Sequence, residues 1–232
     1  AIEHFIQLTH EKYKEKSGER FQRSIRGIFT DEPHRGRLMS SFGSSPGEAS
    51  HDLIYTVPYT PELFSAFIEK FGYDLKARLP ELFYQYKGEK VSPVKWHYVE
   101  CVQQLFLDHC IRPMNMWCEA NGLKLTGHGL HEDSLTAQAA MTGSIMRIYE
   151  HMGYPGVDVL TEHNRSYWVV KQLASAARQL GKKWLLSELY GCTGWQTWLE
   201  SHKSGGHWQA LSGGNLRCHH LSGYTMRGAA KR

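Results

Sequence analysis

Apolar and polar positions along this chain follow two alternating rhythms. From residue 122 onward, short apolar runs alternate with stretches whose apolar residues recur at helical spacing, and the whole repeat is roughly thirty residues, the length of one strand-plus-helix unit. The runs are Leu123–His128, Gly156–Thr161, Lys183–Glu188 and Asn215–His220, each apolar in the middle and polar at its end. Upstream, Ile25–Pro33 is a run of the same kind that closes on Asp31 and Glu32. These segments predict five strands, each delivering polar side chains at its C-terminal end.

Helices fill the gaps. Ala137, Met141, Ile145, Ile148 and Met152 form one apolar stripe, with Asp133 or Ser134 as cap and Pro155 just past the end. Val170, Leu173, Ala174 and Ala177 form a second, closed by Gly181 in a left-handed conformation. A longer helix over about 97–121 carries Val99, Val102, Phe106, Cys110 and Trp117, and Pro113 should kink it. An opening helix over about 1–16 precedes the first strand, and another starts with Thr60 as cap and Pro61 as first residue, burying Leu63, Phe64, Phe67, Ile68 and Phe71.

Strands alternating with helices predict an α/β fold with a parallel sheet and a site at the strand C-termini. No glycine-rich phosphate loop follows any strand, so a (β/α)8 barrel is favoured over an open nucleotide-binding sheet. A closed barrel needs eight strands and five are visible, so residues 1–232 are expected to be one barrel domain truncated at both ends. The stretch 34–58 breaks the rhythm: Gly36, Gly43, Gly47 and five serines make it a long loop insertion after the first strand.

Composition narrows the function classes. With 41% apolar residues in 232, the chain can bury a real core, and a net charge of +4 without a basic run argues against a nucleic-acid partner. No stretch has the length and apolarity of a membrane span, and residues 1–20 lack the apolar centre of a signal peptide. The five cysteines, Cys101, Cys110, Cys118, Cys192 and Cys218, include no CxxC pair, which favours free thiols in a reducing compartment such as the cytoplasm.

The candidate chemistry lies at the strand ends. Glycosidic cleavage uses two carboxyl groups, one protonated to assist the leaving oxygen and one ionised as nucleophile or base; Glu32 and Glu188 end separate strands and are the expected catalytic pair. Asp31, Glu132 and Glu162 are rival carboxylates, whereas Asp158 falls in mid-strand and is the weakest. His128, His131, His163, His219 and His220, with Asn164, Tyr190 and Trp195, supply donors, acceptors and a ring suited to sugar hydroxyls and faces. No HExxH motif or thiolate pair marks a metal site, and no cofactor is required.

Several runs, in order, resemble a known group: Gly27–Pro33, Phe71–Leu75, Leu79–Phe83, Trp117–Gly122, Leu125–His128 and Ser187–Gly191. They are similar to bacterial glycoside hydrolases of the α-L-rhamnosidase-like group, glycoside hydrolase family 106 and its relatives. The resemblance covers nearly the whole chain. It implies that the visible strands are the fourth to the eighth of a catalytic barrel, that Glu32 ends the fourth and Glu188 the seventh, and that the reaction is inverting. It also implies an oligo- or polysaccharide substrate, calcium at the site, held by Glu162 or Glu132, and accessory domains in a longer parent chain. The chain departs from the group at Ser212-Gly213-Gly214 and Ser222-Gly223-Tyr224, where bulkier, more acidic residues are expected. Two other readings stay open: a metal-dependent barrel hydrolase or isomerase built on the rim histidines with Asp31 or Glu162, and a carbohydrate-binding relic without catalysis.

Overall fold

The computed structural model describes residues 1–36, 57–84, 92–161, 166–220, 225, 227 and 228. Five strands, β1 (Gly27–Thr30), β2 (Lys124–Gly127), β3 (Tyr154–Val159), β4 (Leu186–Leu189) and β5 (Leu216–His219), pair in sequence order. Every pairing is parallel, and the sheet curls into a half-barrel with helices around it. This is the expected partial α/β barrel.

Before β1 the expected single helix is two, α1 (Ile2–Leu8) and α2 (His10–Ser17), separated at Thr9. Between β1 and β2 come α3 (Leu63–Phe71), α4 (Pro80–Phe83), α5 (Pro93–Phe106) and α6 (Arg112–Ala120). The α3 boundary differs from the expected one: Thr60 and Pro61 form a turn ahead of the helix, with the Leu63 amide bonded to the Thr60 carbonyl, and Ile68 is exposed. Ser92 caps α5 by accepting from the Lys95 amide at 3.4 Å, and Pro93 takes the first helical position. The disturbance expected at Pro113 is a π-helical turn over Leu107–Ile111, joining α5 to α6. A proline ring crowds the carbonyl one turn earlier and offers no amide, and a widened turn accommodates both.

The helix expected over the Ala137–Met152 stripe is split into α7 (Leu135–Met141) and α8 (Ile145–Glu150). Of the two possible caps it is Ser134 that accepts, from the Ala137 amide at 3.0 Å. After β3, α9 (Tyr167–Gln179) buries Val169, Val170, Leu173, Ala176 and Ala177, and Gly181 follows with φ 64°. The last helix, α10 (Leu199–Ser212), has no apolar stripe; Ser187 of β4 donates to its Gln209.

The main core lies between the strands and α5–α9. It joins Leu125, Val157 and Val159 from the strands and Leu185 just ahead of β4 to Ile111, Ile148, Val170 and Leu173 from the helices. A second cluster, Leu63, Phe67, Leu75, Leu82, Val94, Tyr98, Cys101 and Val102, sits under α3–α5. All five cysteines are free, and no helix among the described residues is long and apolar enough to cross a membrane. Most of the expected loop insertion, residues 37–56, lies outside the described residues.

Candidate active site

Strand alternation determines which side chains meet at the centre. Leu125, Val157, Val159 and Leu185 are packed in the core against the helices, so the neighbours one position away turn to the inner face. Register places Asp158 beside Glu188 and Glu188 beside Cys218. On the first two strands Thr30 pairs with Gly127, so Asp31 and His128 leave their strands side by side. Gly127 is essential to that approach: its φ is 133°, and a Cβ there would overlap the Thr30 carbonyl.

His128 is the hub. Its side chain is 1% exposed, and Nε2 lies 2.9 Å from Glu188 Oε2 and 3.3 Å from Asp31 Oδ1. Glu188 is 13% and Asp31 73% exposed, so the three lead from the interior to the open rim. Burial would depress the His128 ring, but the carboxyls of Glu132, Glu188 and Asp158 outweigh it and hold its pKa above the ordinary imidazole value. Phe29 stands edge-on to the ring at 5.6 Å and is 39% exposed, an aromatic surface at the mouth of the site.

Asp158 belongs to the same group. Burial, together with the negative charges of Glu188, Glu32 and Asp31, pushes its carboxyl up to about 7 against the opposing pull of His128. Among the described residues its buried Oδ1 has no hydrogen-bond partner, and neither has His128 Nδ1. The expected mid-strand placement of Asp158 is therefore corrected. β3 runs from Tyr154 to Val159, two residues earlier than the apolar run suggests, so Asp158 is next to the strand's end rather than in its middle. The signal was present in the sequence: Val157 and Val159 are apolar on either side of one acid.

Glu32 reaches this group through space, as one of the charges acting on Asp158, and its backbone is left-handed with φ 47°. Left-handed non-glycine residues recur beyond the next three strands, at His131, Thr161 and Tyr190. Such conformations cost on the order of 1–3 kcal/mol each and concentrate where function fixes the backbone.

The other candidates are placed differently. Glu132, expected as a rim carboxylate for sugar or calcium, is 4% exposed and faces inward, accepting from the amides of Asp158 at 2.8 Å and Gly129 at 3.3 Å and from the Tyr149 hydroxyl at 3.4 Å. Burial raises its carboxyl to about 8. Tyr190 packs its ring on His202 of α10 at 4.5 Å and on His219 at 5.6 Å. His131 and His219 are exposed, His220 is half-buried with its amide on the Leu189 carbonyl, and Trp195 is 55% exposed on the loop before α10. Glu162, His163 and Asn164 lie outside the described residues.

Calcium favours six to eight oxygen ligands. Among the described residues, the group of side chains close enough to share an ion is Asp31, His128 and Glu188, whose ligand atoms all lie within 4.8 Å of one another. An imidazole nitrogen at its centre fits a transition metal better than calcium, and Glu132 has both oxygens turned to N–H donors. These residues do not make a calcium site.

No protein-family model matches the sequence, and no curated protein sequence matches it. Among solved structures, the chain is similar to the rhamnosidase from Novosphingobium sp. PP1Y, with a TM-score of 0.70 and 18% sequence identity. The match covers 95% of this chain and 20% of that one, so the chain spans about a fifth of its length. A likeness at this identity concerns the fold, a partial α/β barrel.

Proposed function

We propose that the chain carries the catalytic centre of a glycoside hydrolase that cleaves a glycosidic bond with carboxyl groups at parallel strand ends. The observation that carries this reading is the gathering of Asp31, Asp158 and Glu188 around a single buried histidine at the C-terminal rim, with the charge of Glu32 acting on Asp158. Crowded carboxyls in a half-buried pocket are pushed apart in proton affinity, and Asp158, raised to about 7, is a group that can hold a proton near neutral pH. Likeness in fold to a rhamnosidase supports an α-L-rhamnosyl or related deoxy-sugar as the first substrate class to try.

In this reading Glu188, oriented by the His128 ring, is the carboxyl group that activates water or attacks the anomeric carbon. Glu32, on the opposite strand end, is its partner at the leaving oxygen, and Asp158 stands between them as a group able to hold the proton. Phe29 offers a ring to the sugar face. The test is turnover of aryl α-L-rhamnosides by the complete polypeptide and by Glu188→Gln and Glu32→Gln. Losses between about a hundredfold and ten-thousandfold in both support the pair, and near-normal rates in both sink it.

One observation favours a second reading, a metal-dependent barrel hydrolase: the spacing of Asp31, His128 and Glu188. Stoichiometric transition metal in the purified protein, lost together in Asp31→Asn and His128→Ala, would shift the balance to it. Sugar binding without any turnover would instead mark a carbohydrate-binding relic.

A further inference from the structure

The carboxyl that the reaction leaves unused is Glu132. It lies on the loop after β2 and is 4% exposed. β2 and β3 are in register at Thr126 with Tyr154 and Gly127 with Pro155, and beyond those pairs β2 departs into the rim loop. The amide of Asp158 is therefore left without a strand partner on that side. Glu132 takes that place: one oxygen accepts from the Asp158 amide at 2.8 Å, and the other from the Gly129 amide at 3.3 Å and the Tyr149 hydroxyl at 3.4 Å. The Glu132 carbonyl accepts from the Gln138 side chain at 3.0 Å, which ties the loop to α7.

Both amides matter for where they sit. One belongs to Asp158 itself, and the other directly follows His128. A single buried carboxyl thus joins the backbones of two residues that face Glu188, at the point where the sheet's own ladder has ended. Burying a carboxyl is costly unless donors surround it, and here three do. We propose that Glu132 is a positioning residue: by gripping the amides of Gly129 and Asp158 it fixes the His128 ring and the Asp158 carboxyl relative to Glu188. The kinetic side of this inference rests on the glycosidase reading; the geometric side does not.

The test compares Glu132→Met, which keeps the length and removes both acceptors, with Glu132→Gln, which keeps the oxygen facing Asp158. On an aryl α-L-rhamnoside, the complete polypeptide carrying Met should lose between about tenfold and a hundredfold in kcat with KM within about twofold, and Gln should recover most of that loss. A second measurement needs no turnover. Hydrogen exchange at the Asp158 and Gly129 amides should quicken by on the order of tenfold in the Met variant, while α9 keeps its rates. Should the Met variant not fold, Glu132→Asp, drawn back by one methylene, takes its place with the same readouts. Unchanged exchange at both amides, a kcat within about twofold of wild type, an equal change in KM, or a Gln variant no better than Met overturns the proposal. If the wild type turns over no glycoside, the glycosidase reading fails and the exchange rates alone judge the brace.

Discussion

On β3, Val157 and Val159 are turned toward α9 and almost wholly buried, whereas Asp158 between them faces the lumen with a buried oxygen that no group among the described residues satisfies. The same contrast runs along the neighbouring strands: Leu185 in the core against Glu188 in the lumen, Leu125 in the core against His128. The outer face is apolar, close-packed and redundant. Among the described residues the inner face crowds like charges, leaves polar atoms unpaired and follows its strands with left-handed backbone. A one-residue offset separates positions that hold the barrel wall together from positions that hold chemistry at the expense of stability.

The comparison breaks most visibly at Glu188. Glu188→Gln should cost between about a hundredfold and ten-thousandfold in turnover while the melting temperature stays within about 3 °C, because the wall is untouched. Calorimetry beside the rhamnoside assay checks this, and a large loss of stability would mean that the inner face carries the fold as well. The converse is Leu173→Ala on the wall: about 2–5 kcal/mol of stability should go, with kcat per folded molecule unchanged. Denaturant titration and active-site-normalised kinetics separate the two.

The pH dependence sharpens the contrast further. Glu132 at about 8 and Asp158 at about 7 both lie above the ordinary carboxyl range, and His128 lies above the ordinary imidazole range. Between the unfolded and folded values the native state holds protons that the unfolded chain has released, so stability falls as pH rises. The unfolding midpoint should therefore drop from about pH 5 to about pH 9, and Glu132→Gln should flatten that slope. A midpoint that rises over this range contradicts the inner-face assignment. The smallest effect is expected at Thr161, a β-branched residue held at φ 66°. Thr161→Gly should relieve the strain and stabilise the protein by roughly 0.5–1 kcal/mol in thermal unfolding.

The wall was far more legible than the lumen. Apolar runs at a constant period mark strands without regard to their exact ends, so the five strands and their parallel order were readable. Asp31, His128 and Glu188 were readable too, because each closes a run. The place of Asp158 beside the strand's end is hidden because the run extends past its strand: Leu160 and Thr161 follow β3 after the ladder has stopped. Glu132 looked like a rim acid because loop position says nothing about inward rotation, which depends on amides supplied by β3 and the β2 loop. The packing of Tyr190 on α10 is not legible in the sequence, because it depends on glycines at 205 and 206 that let the helix come close to its ring. The split between α7 and α8 was hidden because the stripe continues in phase across Gly143, whose φ of 83° ends the first helix.

The strictly sequential strand order has a kinetic consequence. Each strand pairs with its neighbours in sequence, and among the described residues no ladder joins β1 to β5. From β2 to β5 each paired strand follows its neighbour after a single strand-to-strand connection of about thirty residues or fewer, which favours fast assembly of that part, whereas pairing β1 with β2 closes the far longer stretch from Asp31 to Leu123. Such an array can grow during synthesis, each emerging strand and helix docking on the edge left by the one before. The lumen is then the last thing to be completed, since His128, Asp158 and Glu188 come from three successive additions, and the repulsion among their acids is met after the wall behind them is in place.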